Sequence, residues 1–289
     1  MSVEPCCDLS RRLGESVVGS AVAETTHWLM VQVDHGWAPV TAETAPIAGA
    51  VRAHLEAALA ELGGGRLQLI RRPDDQSGVV VMAARCDGDE GVLYRRDLPH
   101  LDALLEVDIA ALFTGGDDAE RVDEPLILVC THGIRDRCCS RLGTPVYKAL
   151  SERCKAQVWQ TTHLGGHRFA ATLVVLPEGL QFGRVQPDEV GALIDGLARD
   201  DLYRLDRFRG RVAQSRMAQV AEAHVREVRG LTSISAVRCE SQADALVCRV
   251  DGVPLEVRIK ATPHPEARPY SCGSDVLSRP MVYATPSLD

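Results

Sequence analysis

Two short runs in the middle of the chain carry soft donor atoms at spacings that can do chemistry. One is CTHGIRDRCC at 130–139, with Cys130, Cys138 and Cys139; the other is HLGGH at 163–167, with His163 and His167. Thiolates and imidazoles are the ligands that soft and borderline metals select, so the two runs together read as a metal centre. Cys138 and Cys139 are adjacent and their side chains diverge, so one of them is expected to ligate together with Cys130. Gly165 and Gly166 each cost a helix about 1 kcal/mol, which favours a tight loop over a helical H-x3-H pair. Such a loop still brings both rings to one site, and glycine lets backbone approach an inorganic cluster closely. A Cys2His2 zinc site that only holds a binding module together is the main rival. A thiol-dependent reductase using Cys138 or Cys272 is a second. A thioredoxin-type dithiol is disfavoured, because C-x-x-C occurs nowhere in the chain. The reading without chemistry makes the histidines loop residues and the cysteines core filler, and it needs four such residues to gather by chance.

These residues must be positioned by strand ends. The apolar run at 125–129 predicts a buried central strand that delivers Cys130 at its C-terminal end. A loop carrying the cysteines follows, then a helix near 145–153 with Thr144 as N-cap and Pro145 in the first turn. A strand at 156–161 leads into the His loop. Strands at 171–176 and 180–185 flank Pro177, Glu178 and Gly179 as a hairpin, and a helix at 188–198 closes the unit. The order β-α-β, β-hairpin, α is that of a thioredoxin-like core, with the site where open α/β sheets place their ligands. Before it lie a strand at 28–33, a turn at 34–37, a helix at 47–62 stopped by Gly63, Gly64 and Gly65, strands at 67–70, 79–85 and 91–94, and a helical stretch at 98–113. After it come a helix at 212–228, with Met217, Val220, Ala221, His224, Val225 and Val228 on one stripe, and strands at 233–239, 245–250 and 255–259. The fold class is therefore α/β: a thioredoxin-like core at 121–205, an N-terminal α/β region at 1–120 and a small α+β segment at 206–289.

Bulk properties narrow the function. At 289 residues with 45% hydrophobic content, the chain can bury a core. Thirty-two basic against 40 acidic residues give a net charge of −8, which argues against nucleic acid as a partner. No apolar run is long enough to span a membrane, and the first 15 residues lack the apolar core of a secretory signal. A cytoplasmic location is expected, where thiols stay reduced. The ten cysteines then read as ligands, redox groups or filler rather than a disulfide framework, with Cys6, Cys7, Cys86, Cys154, Cys239 and Cys248 as small buried hydrophobes.

The combination of CTHGIRDRCC, then THLGGHRFA at 162–170, then FGRV at 182–185 resembles the sucrase/ferredoxin-like family, whose members are also described as thioredoxin-like [2Fe-2S] ferredoxins. ESVVGSA at 15–21 and the Trp28 strand fit the family's opening, and RFRG at 207–210 and SCG at 271–273 are similar to bacterial members. The resemblance implies a [2Fe-2S] cluster held by Cys130, Cys139, His163 and His167, with Cys138 as the alternative to Cys139. It implies an electron-transfer protein with a redox partner protein rather than a hydrolase, and no carboxylate pair in a glycosidase context appears. Two neutral imidazoles in place of thiolates raise the potential above the roughly −400 mV of plant-type ferredoxins. Around the ligands, His132 is a candidate proton donor, and Asp136 a candidate acceptor for an imidazole or for Arg135. Arg135, Arg137 and Arg168 are read as solvated surface cations or contacts for an acidic partner.

Overall fold

The computed structural model describes all residues except 1–3, 35–36, 38–46, 48, 74–77, 88–90, 243–244, 270, 273–275 and 285–289. Elements run α1 (Cys6–Arg12), β1 (His27–Gln32), α2 (Gly49–Glu61), β2 (Arg66–Arg71), β3 (Val79–Arg85), β4 (Val92–Leu98), α3 (Ile109–Leu112), β5 (Glu120–Arg121), β6 (Leu126–Cys130), α4 (Arg137–Cys154), β7 (Val158–Thr161), β8 (Leu173–Leu176), β9 (Leu180–Phe182), α5 (Val190–Ala198), β10 (Phe208–Arg211), α6 (Arg216–Arg229), β11 (Val237–Gln242), β12 (Ala245–Val250) and β13 (Val253–Val257). Short paired strands follow in the C-terminal segment. Among the described residues no helix is long and apolar enough to cross a membrane.

The first ten strands form one mixed sheet in the order β10-β9-β8-β6-β7-β2-β1-β3-β4-β5. Within it β6 and β7 are parallel, β8 is antiparallel to β6, and β9 is antiparallel to β8. That is the expected thioredoxin-like order, with α4 as the crossover between the parallel pair. The sheet continues across residue 120 through β2 pairing with β7, and across residue 205 through β10 pairing with β9. The turn expected at 34–37 includes residues outside those described.

Period-two alternation splits the strands between two layers. In β1, Leu29 and Val31 pack with Val51, Leu55 and Leu59 of α2, while Trp28 and Met30 face the opposite side. In β6, Ile127 and Val129 meet Val146 and Leu150 of α4, while Leu126, Leu128 and Cys130 join Trp28, Met30 and Trp159. Cys130 is thus turned to the side away from Val146 and Leu150.

Four expectations need correction. The helical stretch at 98–113 is two short pieces, a 3-10 turn at Leu101–Glu106 and α3. Asp108 breaks them apart because its side chain caps Ala111 N at 3.0 Å. Helix α4 starts at Arg137 rather than 145: Asp136, not Thr144, is its N-cap, and Pro145 lies inside it. An Asp with extended backbone is a strong N-cap, and tertiary packing of Val146 and Leu150 outweighs one backbone bond forgone at proline. On α6 the stripe shifts: Val228 is exposed, while Ala218, Ala221 and Val225 pack on Val237, Cys239, Cys248 and Val257. Finally, Cys239 and Cys248 form a disulfide. Antiparallel pairing of β11 with β12 sets the two residues directly opposite each other, which their spacing alone did not reveal.

Candidate metal centre

The site grows from the ends of β6 and β7. Because the strands are parallel, with Cys130 beside Thr161 in register, the loops after both open at the same edge. The cysteines at 138–139 lie in the first turn of α4 rather than in a loop. Asp136 Oδ1 accepts from the Cys138 backbone N–H at 2.9 Å, satisfying one of the donors a helix start leaves open. Successive residues on a helix point about 100° apart, so Cys138 and Cys139 face different neighbours. Cys139 turns to Cys130 and His163; Cys138 turns to Cys6 and Cys272.

Cys139 Sγ lies 3.6 Å and Cys130 Sγ 4.0 Å from His163 Nδ1. The three ligand atoms are all within 4.8 Å of one another. Gly165 and Gly166 both take positive φ, 85° and 67°, so the expected tight loop is present, followed by a 3-10 turn at His167–Phe169. A Cβ at Gly166 would also overlap the Arg209 guanidinium. The loop stacks His167 on His163 with ring centroids 5.6 Å apart. His167 stands beside the three-atom group rather than within it, with Nε2 3.6 Å from Asp136 Oδ2.

The two thiols behave as a unit. The hydrogen bond from Cys139, aided by His163 and the His132 backbone N–H, holds Cys130 well below the usual thiol range despite burial. The same bond, with burial, pushes Cys139 up. A metal that takes both sulfurs as thiolates therefore has to displace a proton chiefly from Cys139. The N-terminus of α4 adds positive potential beside both sulfurs.

Two arginines, Arg209 buried and Arg66 half-buried, support the His loop, and the sequence reading missed them as site residues. Arg209 is buried and donates to Ser20 Oγ and to the Gly165 carbonyl, each at 3.0 Å. Burial, with Arg168, Arg216 and Arg66 nearby, pushes its pKa down to about 9, opposed by Cys130. Arg66 donates to the His163 carbonyl and lies 5.5 Å over the Trp28 ring; burial lowers its pKa while Cys130 raises it. Arg209 lay within the RFRG run, whereas nothing local marks Arg66.

The remaining predicted residues divide. Asp136 is buried at the junction of His167, Cys138 and Cys272. His132 is buried with its ring 6.0 Å from Trp37, outside the ligand group. Arg168 pairs with Glu15 at 2.8 Å and lies over Phe169 rather than being free in solvent. Arg137 is exposed and Arg135 half-buried. Cys6, read as filler, and Cys272, named as a candidate reductase thiol, both converge on Cys138.

These elements define a mixed α/β protein of thioredoxin-like strand order, with thiols and imidazoles at the ends of two parallel strands. The chain belongs to the sucrase/ferredoxin-like family, whose model matches residues 18–210. Among curated relatives, altered inheritance of mitochondria protein 32 of Meyerozyma guilliermondii is 28% identical over 105 residues, covering 33% of this chain. The match spans 37% of that relative's length. Among solved structures, the wild-type thioredoxin-like [2Fe-2S] ferredoxin from Aquifex aeolicus is 19% identical and overlays with a TM-score of 0.24, covering 27% of this chain and 88% of that one. Its Cys59Ser variant is 20% identical with the same TM-score, covering 26% and 88%.

Proposed function

We propose that Cys130, Cys139, His163 and His167 hold a [2Fe-2S] cluster and that the protein passes single electrons to a redox partner protein. The convergence of Cys130, Cys139 and His163 at the ends of two parallel strands carries this reading, with His167 stacked alongside. The donor set fits: two buried sulfurs, one of them held well below the usual thiol range, and two imidazoles on a glycine loop that approaches closely. When bound, such a cluster supplies one-electron redox chemistry.

The surrounding residues set its conditions. Trp28, Met30, Trp159 and Leu164 line the side of Cys130 and exclude water. Arg66 and Arg209 fix the loop carbonyls and place positive charge where an added electron is stabilised. With two neutral imidazole ligands the potential lies above roughly −400 mV and falls with pH where a ligand imidazole loses its proton. Residues 121–205 supply the four ligands, while 1–120 and 206–289 contribute the arginines that hold them. The exposed Ile134 and Arg137 lie between the two cysteines in sequence, on the face offered to the partner.

Anaerobic purification tests this. Red-brown protein with about two irons and two sulfides per chain, bleached by dithionite and EPR-active when reduced, is the expected result. Colourless protein without iron overturns it, and zinc bound by Cys130 and Cys139 would replace it with a structural module.

A further inference from the structure

A second group of metal-ligating side chains lies apart from the first. Cys6 from α1, Cys138 from the first turn of α4 and Cys272 from the C-terminal segment bring three sulfurs together. Cys6 and Cys272 are 3.3 Å apart, Cys138 and Cys272 3.4 Å, and Cys6 and Cys138 3.6 Å. Asp136 adds an oxygen, with Oδ2 4.0 Å from Cys6 Sγ, and all four ligand atoms are within 4.8 Å of one another. Cys6, Cys138 and Asp136 are buried and Cys272 is half-buried.

The geometry selects among the uses of three thiols. A disulfide would draw two sulfurs to about 2.05 Å and leave the third out. A tetrahedral ion with metal–sulfur bonds of about 2.3 Å sets its sulfurs about 3.8 Å apart, close to the spacing seen for all three pairs. Core filler would also lack the polar contacts found here. The Cys6 backbone N–H donates to Cys272 Sγ at 3.2 Å, and the Cys272 and Cys138 N–H groups donate to the two Asp136 oxygens at 3.2 and 2.9 Å. Such donors stabilise thiolate and carboxylate in their anionic, metal-binding forms.

The chain around α1 and the C-terminal segment also meet through an independent contact. Glu15, just after α1, accepts from Ser10 and from Arg168 of the His loop, each at 2.8 Å, and faces Arg268 of the C-terminal segment at 3.7 Å. Cys6 and Cys272 are 266 positions apart in sequence, so only the tertiary fold assembles the group.

We propose that Cys6, Cys138, Cys272 and Asp136 form a second metal site, which takes a single zinc ion. Three thiolates and one carboxylate make the closed tetrahedral set of a structural zinc, and binding displaces the thiol protons to solvent. The ion clamps both chain ends onto the start of α4. Asp136 is common ground, since the same Oδ2 lies 3.6 Å from His167 Nε2 of the first centre. The assignment does not depend on what group the first centre holds.

The test is metal analysis of the full-length protein purified anaerobically. Wild type should carry about one zinc per chain in addition to any iron. Cys272→Ser and Cys6→Ser should each lose that zinc while keeping wild-type iron and visible absorption; Cys86→Ser, at a buried cysteine outside the group, should keep both. Because variants can fail to fold, wild type stripped of all metal should also be titrated with Co2+. One equivalent should give tetrahedral cobalt–thiolate bands that are absent in Cys272→Ser but present in Cys130→Ser. Wild type without zinc and without these bands overturns the proposal. A Cys6–Cys272 disulfide in anaerobic protein also overturns it, as does joint loss of iron and zinc from both variants.

Discussion

Gly143→Ala tests how the first centre is spaced. Gly143 lies in α4 where the helix crosses the end of β6, and a Cβ there would overlap the Cys130 carbonyl oxygen. The obstacle is backbone, which cannot swing aside as a side chain can. Reaching ordinary contact requires the helix to retreat from the strand by about 1 Å. Cys139 travels with the helix and Cys130 stays with the strand, whereas metal–ligand distances tolerate only about 0.2 Å. Overpacking costs about 3 kcal/mol at the upper end, and alanine returns about 1 kcal/mol of helix propensity, for a net loss near 2 kcal/mol. That corresponds to a Tm lower by roughly 4–8 °C. Metal content per chain and thermal unfolding by circular dichroism read the two effects, with Gly191→Ala as control, since its Cβ would meet Arg153 at an ordinary 3.5 Å. Wild-type metal content and Tm in Gly143→Ala would refute the claim that this contact sets the distance between the thiols.

Three further outcomes follow from the same contacts. His163→Cys and His167→Cys should each retain a cluster at a potential lowered by the added thiolate charge, and voltammetry showing no change would remove those residues as ligands. Arg209→Met should lower the potential by on the order of tens of millivolts by deleting a buried positive charge; an unchanged or higher potential contradicts that role. Glu222 is buried between Arg211 at 3.1 Å and Arg226 at 2.8 Å, joining β10 to α6. Burial alone would raise its pKa, but the two guanidiniums hold it below the ordinary 4.5. Its contribution is therefore fully present above about pH 4.5 and lost as pH falls through the lowered value. Glu222→Gln leaves two buried cations uncompensated and should cost about 3–5 kcal/mol, seen as a lower urea midpoint at neutral pH, with a smaller difference from wild type in acid.

The donor types, the glycine-built His loop and the strands at 79–85 and 245–250 were legible from residues alone. Local chemistry determines them: sulfur and imidazole carry the same affinities wherever they lie, paired glycines disfavour a helix, and apolar or alternating runs demand burial. The start of α4 was obscured because Pro145 and Thr144 make a good local helix start. The cap that Asp136 places on the Cys138 N–H, with Cys138, Cys139 and Gly143 buried beneath the helix, carries its start back to Arg137.

That eight-residue extension is what turned Cys138 and Cys139 toward different partners. Spacing by itself supplied two adjacent cysteines and no means of telling which faces Cys130; the family resemblance alone favoured Cys139. Tertiary structure also brought Cys6 and Cys272 to Cys138, put Cys239 opposite Cys248, and set Arg66 and Arg209 against the His loop. Apart from the Cys239–Cys248 pair, nine positions apart across neighbouring strands, each of these depends on chain segments meeting after long closures, whose pairing is decided by the summed burial of the whole core rather than by any short run of residues.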